Sequence, residues 1–195
     1  MGSILKMDPI FSSMRIETGK YYHIYNRSNN REIVYRSSEN NNYFLGKYKK
    51  FVSPYVDTIA YCLMPTHFHF LVQVVTEEIN VLRDNGGVLL SSYTKAINKQ
   101  YGRNGSLFQR HTKAIEVDDE SYLLTLVMYI HQNPVRANLT SHQEDWEYSS
   151  YQEYAGMRQD GLVEKELLMS YFNSIQKFKQ YSAEILRSVK EQYWV

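Results

Sequence analysis

The chain has 195 residues, of which 43% are apolar and 22% charged, as is ordinary for one globular domain with an appendage. No apolar run approaches the ~18 residues of a membrane helix, the first residues lack a secretion signal, and the single cysteine excludes an internal disulfide, so we expect a cytoplasmic protein. Residues 1–117 carry 15 basic and 9 acidic side chains, a net charge of +6, whereas residues 118–195 carry 7 and 12, a net charge of −5. The asymmetry has two interpretations. It can arise by chance, with an acidic helical tail exposed to solvent, or it can reflect a basic surface on the main body that contacts phosphates.

The first predicted elements are a strand and a helix. Residues 1–18 look like a loose leader, and the alternating, aromatic-rich YYHIYNR at 21–27 predicts a strand. Between residues 31 and 51 the spacing of the apolar side chains predicts a helix, although the polar stretch ENNN at 39–42 interrupts it.

A hairpin and a second helix follow. The apolar runs at 56–64 and 67–75 predict two strands, joined by a turn at Pro65-Thr66 because proline cannot continue a strand ladder. The stretch VLLSSYTKAINKQY at 88–101 predicts a helix that ends at Gly102.

The remaining elements complete a recognisable order. We expect an extended segment at 107–117, a helix from about 120 to 133 capped by Asp118 or Asp119, and a helical tail from about 164. Strand, helix, strand, strand, helix, strand is the split βαβ, ferredoxin-like plan of an α+β protein: an antiparallel sheet with helices on one face. One face of such a sheet is left free for a site.

Two histidines stand one residue apart in the predicted hairpin, in the run LMPTHFHFLVQVV. Residues i and i+2 of a strand share a face, so His67 and His69 point to one side and Phe68 and Phe70 to the core. Two imidazoles on one face can bind a single divalent ion, but they can equally be ordinary half-exposed strand residues. A complete metal site needs a third ligand from another element.

The predicted helix at 120–133 offers that ligand on one flank. Tyr129 and Asn133 are i, i+4 neighbours, and Pro134 is expected to end or kink the helix and so aim the Asn133 side chain. Alternatively, neither residue belongs to a site: Tyr129 is then an ordinary tyrosine on the flank of the helix, and Asn133 an ordinary asparagine at its C-terminal end. If the flank faces the histidines, the Tyr129 hydroxyl becomes a nucleophile for a phosphodiester, and the product is a covalent phosphotyrosine with a free 3′ hydroxyl.

Four stretches together resemble one family. YCLMPTHFHFLVQ, SLFQRHTKAIEV, YIHQNPVRANL and DWEYSSYQEY, in that order, are similar to the REP-associated tyrosine transposases, of the insertion-sequence-200-like group of HUH single-strand transposases. The resemblance runs from about Tyr21 to Gly156. It departs mildly at Gln109-Arg110-His111, where relatives often carry Gly and Tyr.

The resemblance implies a function and a site. It implies a ferredoxin-like catalytic domain over 1–156 with a C-terminal helical extension over 157–195, and cleavage and rejoining of single-stranded DNA hairpins through a 5′-phosphotyrosine. Tyr129 matches the nucleophile; His67, His69 and Asn133 match the ligands of Mg²⁺ or Mn²⁺. The order of these motifs disfavours a relaxase-type nickase. A non-cleaving, hairpin-binding regulator and either a monomer or a homodimer stay open.

Basic and aromatic side chains are candidate DNA contacts. Cations neutralise phosphates and aromatic rings stack on unpaired bases. The candidates are Arg27, Lys49, Lys50, Lys95, Lys99, Arg103, Arg110, Lys113, Arg136, Trp146, Tyr148 and Tyr151. Each cation has an alternative as a solvated charge, and Trp146 has one as a packing residue that anchors its loop on the core.

Overall fold

A four-stranded antiparallel sheet, in the order β2-β3-β1-β4, forms the centre of the fold. The computed structural model describes residues 15–159 and 161–184. The strands are β1 (Tyr21–Arg27), β2 (Val56–Met64), β3 (His67–Val74) and β4 (Lys113–Val117). The helices are α1 (Ser38–Phe51), α2 (Ile79–Tyr101), α3 (Glu120–Arg136), α4 (Tyr151–Tyr154), α5 (Glu166–Met169) and α6 (Ile175–Ser182). This order and pairing confirm the predicted ferredoxin-like plan.

Several predicted boundaries differ for identifiable reasons. The helix predicted from Val88 begins at Ile79 and passes through two glycines, because Gly86 is buried against the core and tertiary packing outweighs its low helix propensity. The segment predicted to be extended from Leu107 becomes a strand only at Lys113. Before that point it crosses the end of β1, where Phe108 forms a single bridge with Ser28.

The polar stretch ENNN starts a helix instead of interrupting one. The Ser37 hydroxyl accepts a hydrogen bond from the backbone N–H of Asn40 and caps the N-terminus of α1. Asn40 is buried, and its side-chain amide donates to Gln100 and accepts from Tyr101, both in α2. Asn40 is therefore a tertiary contact between the two crossover helices.

The two faces of the sheet carry different partners. Strand alternation places Tyr22, Ile24 and Phe70 on the face that packs against α1 and α2. The opposite face, which carries His23 and His69, receives α3. The face that the sequence left free is thus partly covered, and α3 is the element that covers it.

The prediction that the helix ends at Asn133, with Asn133 biased away from helical geometry by Pro134, was wrong, whereas a kink at Pro134 stays a prediction. The helix α3 continues through Pro134 to Arg136, and the Asn133 carbonyl accepts a hydrogen bond from Ala137. Proline lacks only its own N–H, and close to a helix end this removes a single hydrogen bond.

The chain after β4 packs on α3. In α6 Phe178 is fully buried against His131, Tyr151 and Tyr154. The division at residue 156 stays a prediction. Most of the predicted leader and the end of the predicted tail lie outside the described residues. Over residues 15–159 and 161–184, no helix has the length and apolar character needed to cross a membrane.

Candidate active site

The two histidines of β3 lie side by side on the sheet face that α3 partly covers. His67 is opposite Arg27 of β1, and His69 is opposite Tyr25. The centres of the two imidazole rings are 5.1 Å apart, with the ring planes nearly perpendicular. The structure therefore places both rings on one face, as the i, i+2 spacing predicts.

A third histidine, on β1, contacts this pair. The Nε2 atom of His23 lies 2.9 Å from the Nδ1 atom of His69, and both side chains are fully buried. The two rings are nearly parallel, with centres 5.1 Å apart. Sequence reasoning missed His23, although the alternation of YYHIYNR puts it on the same face as Tyr25. The missing information was the register between β1 and β3.

All three imidazoles are neutral near neutral pH. Burial lowers the pKa of His23 to about 3. Burial, helped by the Arg27 guanidinium, lowers the pKa of His67 to about 4, and burial holds the pKa of His69 well below its usual value. A neutral imidazole keeps one ring nitrogen with a free lone pair, which is the form that binds metals.

The contact between His23 and His69 engages one ring nitrogen of His69 and leaves the other without a protein partner in the part of the chain that the structure describes. The Nδ1 atom of His69 is engaged with His23, while its buried Nε2 atom has no hydrogen-bond partner among the described residues. When Nδ1 carries the proton and donates to His23, Nε2 presents its lone pair. His67 similarly pairs its Nδ1 with the hydroxyl of Thr66 at 3.0 Å. Both rings thus have Nε2 as the available donor atom, which suits a divalent transition-type ion.

The helix α3 brings Tyr129 against the same face. The Tyr129 ring lies 5.9 Å from the ring of His69 in an edge-to-face arrangement, and only 7% of the residue is exposed. The guanidinium of Arg136, two turns further along the helix, lies 5.7 Å from the ring centre. Burial raises the pKa of Tyr129 above its ordinary value while Arg136 opposes that rise. The phenol is therefore protonated at neutral pH.

Asn133 lies one turn after Tyr129 and is 9% exposed. Its Nδ2 donates to the Tyr129 carbonyl at 3.1 Å, so Oδ1 is the amide atom suited to a cation. The neighbouring Gln132 instead donates to the carbonyls of Ser182 and Glu184. No group of three His, Cys, Asp or Glu residues suited to a metal occurs in the described ranges. A metal on the histidine pair would need a different third ligand, and an amide oxygen is one.

Two comparisons find proteins that carry the same family name. No model of a known protein family matches the chain. A curated protein of Haemophilus influenzae, named as a REP-associated tyrosine transposase, is 27% identical over 124 residues, which cover 56% of this chain and 68% of the relative. The solved structure of a REP-associated tyrosine transposase bound to a REP hairpin matches with a TM-score of 0.59 and 14% identity, over 79% of this chain and 98% of that one. The resemblance to REP-associated tyrosine transposases is confirmed. At 14% identity the second match shows the fold alone.

Three of the cations predicted from this resemblance surround the candidate site. Arg27 lies opposite His67, and its buried Nε atom has no hydrogen-bond partner within the described ranges. Lys113 is exposed and lies opposite Tyr25 at the edge of the sheet. Arg136 lies against Tyr129. Arg27 and Lys113 thus lie on the β1 side of the histidine pair, and Arg136 lies beside Tyr129.

Other predicted cations lie on α2 and on the loop that crosses the end of β1. Lys95 and Arg110 line a cleft of about 470 Å³ between these two segments, and Lys99 is exposed on α2. Lys49 and Lys50 are exposed at the end of α1. Arg103 differs, because its guanidinium lies 2.7 Å from the Glu32 carboxylate and also donates to Asn98, with 15% of the side chain exposed.

The predicted stacking aromatics have different environments. Tyr151 is buried beside Phe178 and has no exposed ring face to offer to a base. Trp146 is half-buried, and its indole N–H donates to the Leu63 carbonyl at 3.0 Å, which fits the packing alternative. Tyr148 is half-buried beside Trp146. Only the latter two keep accessible ring surface.

Proposed function

We propose that this chain cleaves and rejoins single-stranded DNA, with Tyr129 as the nucleophile and His67 and His69 as ligands of Mg²⁺ or Mn²⁺. One observation carries the proposal. The unpartnered Nε2 atom of His69 is buried next to His67, and the Tyr129 ring packs against the same imidazole. A buried ring nitrogen without a partner is costly unless it has a ligand to bind.

Asn133 is the proposed third ligand. Its Oδ1 atom is the amide acceptor left after Nδ2 is bonded to the Tyr129 carbonyl. When bound, the ion would polarise the scissile phosphate and neutralise the charge that develops on it. The same helix therefore supplies both a ligand and the nucleophile, and their separation of one turn is set by helical geometry.

The reaction at Tyr129 follows from its surroundings. The phenol oxygen attacks phosphorus, an oxygen–phosphorus bond forms, and the bond from phosphorus to the 3′ oxygen breaks to give a 5′-phosphotyrosine and a 3′ hydroxyl. The phenol loses its proton to solvent during the attack and the departing 3′ oxygen takes one up, so the step is balanced in protons. The nearby Arg136 guanidinium favours the phenolate. The reverse attack by a 3′ hydroxyl rejoins the strand, so no external energy source is needed.

The cations around the site fit a DNA strand. Arg27, Lys113 and Arg136 lie near the candidate site, and the cleft with Lys95 and Arg110 lies at the end of the same strands. A structural relative of this fold is described as bound to a REP hairpin. We therefore propose DNA folded into a hairpin as the substrate.

The test is formation of a covalent adduct. Native protein incubated with end-labelled, hairpin-forming single-stranded DNA and Mn²⁺ should give a protein–DNA band that survives denaturing electrophoresis. The Tyr129→Phe variant should lose that band and keep its affinity for the DNA. Tyr122→Phe is the matched control, because Tyr122 is also a partly buried tyrosine of α3 and should remain active.

Two outcomes would redirect the proposal. An adduct that persists in Tyr129→Phe would move the nucleophile to another tyrosine. Tight hairpin binding by native protein with no adduct under any divalent ion would favour the alternative, a non-cleaving DNA-binding regulator.

A further inference from the structure

A second cavity lies at the turn that leads into β3. It has a volume of about 200 Å³ and is lined by residues of the α1 start, by Pro65, and by Trp146 and Tyr148. Pro65 is two residues before His67, so the cavity is within about 8 Å of the histidine strand along the backbone. The Pro65 carbonyl accepts hydrogen bonds from the backbone N–H groups of Val34 and Tyr35, which hold this turn in place.

Two aromatic rings form fixed walls of the cavity. The Trp146 indole is anchored by its hydrogen bond to the Leu63 carbonyl, 3.0 Å long. The Tyr148 ring lies 5.7 Å from it at 87°. Burial, together with a hydrogen bond to Glu147, raises the pKa of Tyr148 to about 12, so its hydroxyl stays neutral. Half-buried rings held in this way present flat apolar surface to a planar ligand.

Asn41, one of the residues that line the cavity, has a buried side-chain acceptor without a donor among the described residues. Asn41 is 5% exposed, and its Nδ2 donates to the Ser37 carbonyl at 3.0 Å. That bond identifies the other amide atom as Oδ1, which has no hydrogen-bond partner among the described residues. Because a buried carbonyl oxygen without a donor is unfavourable, the site is suited to a ligand that carries an N–H group.

The charges around the cavity disfavour a phosphate. The Glu39 carboxylate accepts hydrogen bonds from Ser37 and from its own backbone N–H at the start of α1, and these bonds lower its pKa. The guanidinium of Arg36 lies over the ring of Tyr101 and donates to the Ile33 carbonyl. The positive end of the helix is thus already matched by a carboxylate, and the chemistry that remains is aromatic surface and one acceptor.

We propose that this cavity binds one unpaired base of the DNA strand, stacked on Tyr148 with Trp146 as the adjoining wall, and that an N–H of the base donates to Oδ1 of Asn41. The proposal rests on the proposed function, because it needs a single-stranded DNA ligand. Adenine, cytosine and guanine can donate from an exocyclic amine and thymine from its ring N3–H, so the contact requires an N–H on the base, and a base without one should bind more weakly. The base lies next to the phosphate held at His67, and the pocket positions the strand for cleavage.

The experiment scans the DNA one nucleotide at a time. A hairpin-forming oligonucleotide is made abasic at each single-stranded position in turn, and its affinity is measured with the Tyr129→Phe protein, which binds without cleavage. One position should weaken binding by roughly 5- to 150-fold, the usual range for a stacked base. At that position N3-methylthymine, which has no N–H donor, should bind more weakly than thymine.

Protein variants assign the effect to the cavity. Tyr148→Ala should bind native and abasic DNA equally, and Tyr148→Leu serves if the alanine variant fails to fold. Asn41→Ala should retain the abasic effect and lose the discrimination against N3-methylthymine. Tyr43→Ala is the matched control, since Tyr43 is an exposed aromatic elsewhere on α1.

The outcomes separate this proposal from the proposed function. No sensitive position, or a sensitive position that Tyr148→Ala and Tyr148→Leu leave unchanged, overturns the base pocket. Native protein that forms no covalent adduct while these variants still abolish base discrimination overturns cleavage and leaves the pocket intact.

Discussion

Replacing His23 by leucine tests whether this buried imidazole positions His69. The two ring nitrogens are 2.9 Å apart, and the leucine side chain has a similar volume but cannot hydrogen-bond. His69 would keep its place on β3 but lose the partner that directs its Nδ1 proton and ring orientation. The His69 ring would then no longer be held in the one tautomer that leaves Nε2, the proposed metal donor, unprotonated.

The size of the effect follows from the burial of the pair. Loss of a partner to a metal-binding histidine typically lowers metal affinity 10- to 100-fold, or by about 1.4 to 2.7 kcal/mol. Because His69 is fully buried, its unsatisfied Nδ1 also costs about 1 to 3 kcal/mol of folding free energy. Calorimetric titration with Mn²⁺ measures the first quantity, and urea unfolding of the metal-free protein measures the second.

His131→Leu is the matched control. His131 is also fully buried, its pKa is also lowered to about 3 by burial, and its Nε2 bonds the Ser150 hydroxyl at 2.8 Å. It packs among Tyr151, Tyr154 and Phe178, away from the histidine pair. We expect this variant to lose stability but to keep its Mn²⁺ affinity. Equal Mn²⁺ affinity in the native and His23→Leu proteins would refute the positioning role.

Two further predictions concern pH and the predicted DNA cations. Burial lowers the pKa of His23 and His131 to about 3, from about 6.5 in an unfolded chain, so below pH 6.5 the unfolded chain binds protons that the folded chain does not. The free energy of unfolding should therefore fall by about 1.4 kcal/mol per pH unit for each such histidine as pH drops from about 6.5 towards 4. In urea titrations at several pH values, the free energy of unfolding of His131→Leu should depend less steeply on pH than that of the native protein. An identical pH dependence would contradict this prediction. Arg103→Ala should cost about 1 kcal/mol of stability, through loss of its partly exposed ion pair with Glu32, and leave DNA affinity unchanged. Lys113→Ala should leave stability unchanged and weaken DNA binding, and the slope of log binding constant against log salt concentration should become shallower by about 0.7 for single-stranded DNA. Weaker DNA binding by Arg103→Ala would show that its ion pair opens.

The fold was predictable from the sequence wherever a local pattern decides the structure. The strand YYHIYNR and the run at 56–64 have the predicted bounds, because alternation, aromatic content and the Pro65 turn are all local signals. The start of α2 and the passage of α3 through Pro134 were not predictable in this way. In both cases burial against the sheet outweighs the propensity of a glycine or a proline, and burial is a property of the assembled fold.

The candidate site shows the same division at the level of single residues. His67 and His69 share a face because they are i, i+2 on one strand, and Tyr129 and Asn133 are neighbours because they are i, i+4 on one helix. Each pair is therefore visible in the sequence, whereas the contact between them depends on α3 packing on that face of the sheet. His23 depends on the register of β1 against β3, and a shift by one residue would turn it away from His69. The side chains proposed to perform the chemistry are thus brought together in pairs by local geometry. The contact of His23 with His69, which orients one of them, forms only when the strands pair.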